Sequence, residues 1–153
     1  MTNDIQLTVE AALQKGVEAH KAGKVQEADQ YYTAVLKSQP NHPDANHNMG
    51  VLAVGIGQVE KSLPFFKKAL EVNSTITQFW ISYIDALMKL EQFEDAKAVL
   101  TQAKENGLND DRFDVFEASL KSQTIAYSEV SQEEQKTLVD LYNQGTTQIT
   151  LTK

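Results

Sequence analysis

The chain has 153 residues, 41% of them hydrophobic and 23% charged, which is enough apolar material for one ordinary domain and too much for a disordered segment. No cysteine occurs, so disulfides and thiolate catalysis are excluded and structural zinc is disfavoured. A formal net charge of −7 opposes the phosphate neutralisation that nonspecific nucleic-acid binding requires, so nucleic acid is not expected as a partner.

Residues 1–8 read as an N-terminal extension. Met1 to Leu7 lacks the basic and apolar regions of a signal peptide, and no later run approaches the roughly 20 apolar residues of a membrane span. The expectation is a cytoplasmic protein without membrane insertion.

From Val9 the apolar residues Val9, Ala12, Leu13, Val17 and Ala19 recur at helical spacing, and Ala28, Tyr31, Tyr32, Val35 and Leu36 form a second such run after Gly23. Glycine fits the left-handed residue that ends a helix, and Ala28 permits close approach of the two helices. The same reading predicts helices near 44–55, 59–72, 77–90 and 93–106. Set Pro43 under Val9 and Thr77 under Pro43, a step of 34 residues, and the small residues fall into columns. Gly16 lies over Gly50, Ala28 over Ser62 over Ala96, Tyr32 over Phe66 over Leu100, and Val35 over Ala69 over Ala103. Gly23 lies over Gly57, where the third copy has Glu91. A period of this kind marks a helical hairpin that buries its apolar face only by stacking on its neighbours. Stacking is expected to bury Tyr32, Phe66, Trp80, Tyr83 and Leu100.

Those columns resemble the tetratricopeptide repeat family. The first copy (9–42) supplies Gly16, Ala19, Ala28, Tyr32 and Pro40; the second (43–76) Met49, Gly50, Ala53, Phe66 and Ala69; the third (77–110) Trp80, Tyr83, Leu87, Ala96 and Ala103. Ala12 and Asn46 stand where the family has a large opening residue, Ile84 replaces the glycine, and Leu108 stands where Pro40 closes the first copy. The resemblance implies an all-α, right-handed superhelix, here of three hairpins plus a capping helix and a C-terminal half-repeat helix.

After Asp110 the phase breaks. Phe113, Val115, Phe116, Ala118 and Leu120 suit a short capping helix over the open end of the array, followed by a connecting segment to 130. Ser131 with Glu134 reads as a capping box opening a helix from about Gln132 to Gln144, with Gly145 as its stop. That segment, 131–145, resembles the first helix of another repeat whose partner is missing, which favours self-association and a homo-oligomer through the C-terminal helix. Residues 146–153 read as a disordered tail. The string Phe79 to Leu87 is similar to runs in bacterial repeat proteins whose repeats precede a glycosyltransferase or sulfotransferase domain.

Catalysis finds no support in the sequence. His42 and His47 flank a helix start without a completing ligand set, so no metal is expected. Carboxylate pairs such as Glu133-Glu134 and Asp110-Asp111 sit at helix starts and solvated faces, and Gly50, Gly55 and Gly57 precede no Lys-Ser or Lys-Thr. No catalytic residue and no cofactor is assigned.

The resemblance places a binding groove on the first helix of each hairpin. Its expected lining is Leu13, Val17, His20, His47, Asn48, Val51, Val54, Ile81, Asp85 and Met88, flanked by Glu10, Asp44, Gln78 and Ser82. Chaperone-binding members hold a terminal carboxylate with a clamp of Lys, Asn and Arg. Only Asn48 matches that clamp, because the other places hold Leu13, Val17, Gln78 and Ser82. The implied function is a non-catalytic scaffold or adaptor that binds a peptide or protein segment. The alternatives are the targeting or substrate-presenting front of a larger glycosyltransferase or sulfotransferase, and a self-assembling structural repeat.

Overall fold

A computed structural model describes residues 7–150 and is all α, with seven helices and no strand among those residues. Helices α1 (Val9–Lys21), α3 (Pro43–Gly55) and α5 (Thr77–Lys89) alternate with α2 (Val25–Ser38), α4 (Val59–Val72) and α6 (Phe93–Glu105). Each start falls 34 residues after its counterpart. Helix α7 runs from Asp111 to Thr150. The chain divides into two compact units, residues 1–113 and 114–153.

Local chemistry sets the helix ends of the first unit. Thr8 caps α1 by accepting from the Ala11 N–H at 3.1 Å. His42 does the same for α3, its Nδ1 accepting from the Ala45 N–H at 3.2 Å, with Pro43 at the first helical position. Every hairpin closes with one turn geometry. The N–H of Lys24 reaches the Ala19 carbonyl at 2.9 Å while Gly23 turns left-handed at φ 73°, and Gln58 to Ala53 repeats the pattern around Gly57. In the third hairpin Gln92 reaches the Leu87 carbonyl at 2.9 Å, and the left-handed residue is Glu91 at φ 57°. The turn is conserved in shape although a residue with a Cβ must adopt it.

Close packing within hairpins follows from paired volumes. A Cβ added to Gly16 would stand 2.6 Å from Tyr32 Cε1, and one added to Gly50 would stand 2.5 Å from Phe66 Cε1. Each aromatic ring thus occupies the space its glycine vacates. The third hairpin reverses the allotment, with Ile84 at the glycine place and Leu100 at the aromatic place, both buried. Ala28, Ser62 and Ala96 are fully buried at the helix contact, and Ser62 satisfies its hydroxyl on the Val59 carbonyl at 2.6 Å.

The joints between hairpins carry a second paired device. Buried Asn46 donates from Nδ2 to the Pro40 carbonyl at 3.0 Å and to the His42 carbonyl at 2.9 Å. Trp80, in the same column of the next repeat, donates from Nε1 to the Ser74 carbonyl at 2.9 Å. Both donors pin the carbonyl six residues upstream, so two unlike side chains hold the same inter-repeat turn.

Tyr32, Phe66, Trp80 and Leu100 are buried as expected, whereas Tyr83 is only half-buried. The expected break of 111–153 into a capping helix, a connector, a half-repeat helix and a tail differs from the structure, where the backbone is helical without interruption to Thr150. Ser122 to Val130 contains neither Gly nor Pro, so nothing forces the helix to end there. Ser131 therefore lies mid-helix, and Gly145 is passed at the modest cost of about 1 kcal/mol that glycine carries inside a helix. The start of the N-terminal extension (1–6) and the end of the tail (151–153) lie outside the described residues.

Candidate functional site

Helix α1 touches α3 and α3 touches α5, whereas among the described residues no contact joins α2 to α4 or α4 to α6. The first helices of the three hairpins are therefore drawn together and line the inner, concave side of the array. Of the expected lining residues on these helices, Asn48, Val51, Val54 and Met88 are half-buried.

His47 sits at the centre. Its ring stacks on Phe79 at a centroid distance of 4.7 Å and 25°, and Phe66 flanks it at 5.7 Å. Its Nε2 shares a hydrogen bond of 2.9 Å with Ser82 Oγ, tying the second repeat to the third. Burial pushes the imidazole below its ordinary value, while the Asn48 side chain and the Asp44 carboxylate pull the other way. The polar chain continues: Gln78 donates to Ser82 Oγ at 3.2 Å, and Arg112 Nη1 donates to Gln78 Oε1 at 3.0 Å. Arg112 also grips Asp110 with two parallel bonds, from Nε at 2.8 Å and Nη2 at 2.9 Å. Those bonds, with the Arg112 backbone N–H, hold the Asp110 carboxyl down at about 2. Four side chains of the inner side and the start of α7 thus form one line, of which Arg112 was not legible in advance because it lies beyond the last repeat.

The remaining expected lining residues divide. Leu13 and Val17 are half-buried and pack against the core formed with Tyr32, Met49 and Leu52, so part of each belongs to the interior. His20 turns inward, its Nδ1 sharing a 3.3 Å hydrogen bond with Tyr32 Oη. Asp85 is paired with Lys89 one turn along α5. Ile81 is a correction: it is 6% exposed and is a core residue, because α5 turns Phe79, Trp80, Ile81 and Ile84 all inward. No group of three or more metal-ligating side chains occurs among the described residues, and no helix there is long and apolar enough to cross a membrane.

Residues 9–42 and 43–76 match the family model of the tetratricopeptide repeat, with the same boundaries as the 34-residue period. Residues 9–76 are thus similar to two tetratricopeptide repeats. The third hairpin, α5 and α6, repeats the architecture of the two matched units. Among solved structures, the tetratricopeptide domain of Arabidopsis OM64 superposes with a TM-score of 0.67 at 18% identity, covering 74% of this chain and 94% of that one. The first such domain of Spaghetti (RPAP3), bound to an HSP90 peptide, gives 0.67 at 21% identity over 77% and 95%. The TPR2B domain of yeast Sti1, in complex with pHsp70, gives 0.67 at 18% over 75% and 97%. At these identities the likeness is one of fold. No curated protein matches the sequence.

Proposed function

We infer that this array of helical hairpins is a non-catalytic interaction module that holds a peptide or protein segment along its inner side. The observation that carries the reading is the half-buried row of Asn48, Val51, Val54 and Met88 on helices drawn together around the concave face. Two structures of the same fold hold chaperone ligands, the HSP90 peptide on RPAP3 and pHsp70 on Sti1.

The ligand chemistry differs here. Leu13, Val17, Gln78 and Ser82 provide no cation for a terminal carboxylate, and the nearby guanidinium of Arg112 is already gripped by Asp110. The ligand is therefore held by apolar side chains and by Asn48, as an amphipathic or extended segment. The test is a peptide-display selection on the intact chain, followed by affinity measurement of a selected peptide as free acid and as C-terminal amide. Equal affinity of the two forms, and a loss of at least about tenfold on Val51→Glu with Val54→Glu at unchanged helical circular dichroism, are expected. A strong preference for the free acid, or undiminished binding to the double variant, would remove the inner side from consideration. Ile81 is not used in this test, since a charge there would disrupt the core.

A further inference from the structure

Beyond the groove, and independent of it, the second unit presents a surface with its own chemistry. From Lys121 to Leu141 every described residue of α7 except Ser131 is exposed. Among them Tyr127 is 80% exposed, Val130 57%, Leu138 66% and Leu141 59%. At about 100° per residue these four fall within a quarter turn of one another, and Glu134 falls in the middle of their row. Val130, Glu133, Glu134, Thr137 and Leu138 line a shallow cleft on this face. Glu134 is the one charge within the row; Glu133 stands about 100° to one side of it, and Glu129, Asp140 and Lys136 lie towards the opposite side of the helix.

An apolar row of this length gains by being covered, since a helix that packs on nothing is marginally stable in water. Covering it buries Glu134, and a buried carboxylate must meet a cation. This requirement decides against a second copy. In a parallel, in-register pair Glu134 meets Glu134. An antiparallel pair that matches the apolar residues sets Tyr127 against Leu141 and Val130 against Leu138, and again brings Glu134 onto Glu134. Both arrangements bury like charges together. We propose that this face of α7 docks a foreign amphipathic helix whose apolar row is interrupted at its centre by an Arg or Lys that pairs with Glu134.

Two synthetic helices of about four turns test this, both with leucines at the spacing of the α7 row, one carrying Arg and the other Glu at the centre. Each is titrated onto the intact chain by fluorescence anisotropy, with hydrogen exchange to locate the contact. The Arg-centred helix is expected to bind at least about tenfold tighter than the Glu-centred one, with new protection over residues 124–141. Glu134→Arg should reverse the preference, and Leu138→Ser with Leu141→Ser, which keeps every charge, should abolish binding of both. Equal binding of the two helices, failure of Glu134→Arg to reverse them, or undiminished binding to the Leu138→Ser, Leu141→Ser variant would overturn the proposal, the last showing mere charge attraction. Protection confined to α1, α3 and α5 would overturn it while leaving the groove reading intact. A chain that is dimeric by light scattering, and monomeric after the Leu138→Ser, Leu141→Ser change, would assign the face to a second copy instead.

Discussion

The exchange of volumes between the second and third hairpins supplies a double-mutant cycle that nature has already drawn. Gly50→Ile in isolation drives a Cβ to 2.5 Å from Phe66 Cε1 and 2.7 Å from Cδ1, about 1 Å inside an ordinary carbon–carbon contact. The ring is 1% exposed and borders His47, itself stacked on Phe79, so it has no room to retreat. Overpacking of this kind costs about 2 kcal/mol after the gain from removing a helical glycine. Phe66→Leu in isolation leaves a void beside Gly50 and costs about 2 kcal/mol. If the two were independent, the pair would lose about 4 kcal/mol, but together they recreate the Ile84–Leu100 arrangement and should lose about 1–2, a coupling of about 2–3 kcal/mol. Urea unfolding followed by circular dichroism measures all four corners of the cycle. An additive double variant would refute the claim that the two columns exchange volume.

Glu91→Gly should raise stability by about 1 kcal/mol, because glycine adopts the left-handed turn without the penalty of a side chain; an unchanged urea midpoint would show that Glu91 is not strained. Trp80→Phe should cost about 1 kcal/mol by removing the hydrogen bond to the Ser74 carbonyl, and Trp80→Ala about 3–5 kcal/mol by also emptying the core. Equal losses for the two would deny the indole N–H any role in holding the turn. His47 titrates below its ordinary value in the folded chain, so the folded state binds fewer protons than the unfolded one as acid is added. Its contribution to stability is fully present above the unfolded value of about 6.5 and is lost as the pH falls towards the lowered folded value. His47→Gln should flatten that segment of the stability profile, and an identical pH slope in the variant would show that another group sets it.

Much of the array could be read before any coordinates. The helix starts at Val9, Pro43 and Thr77 follow from the period, and burial of Tyr32, Phe66, Trp80 and Leu100 follows from the columns. The departures in the third repeat were visible as single substitutions but not as compensations. That Ile84 answers Leu100, and that Trp80 replaces Asn46 as the donor to one turn, depends on distances between helices that a linear pattern does not carry. Ile81 was misplaced for a related reason. A helix flanked by neighbours on both sides buries more than one stripe, so position on the inner helix does not guarantee exposure. Residues 111–150 form one helix where separate pieces are expected, because capping-box and glycine signals mark helix ends only where the surrounding chain also disfavours helix. Arg112, which completes the line from His47 through Ser82 and Gln78, has no counterpart in the repeats and therefore no column to reveal it.

The central claim, that the inner side of the array holds a ligand through apolar contacts, is tested most directly by methyl NMR on the full chain during titration with a selected peptide. The account predicts that the methyl signals of Val51, Val54 and Met88 shift and saturate together while those of α2, α4 and α6 stay in place. Saturable shifts confined to α2, α4 and α6, with the Val51, Val54 and Met88 signals unmoved, would contradict it.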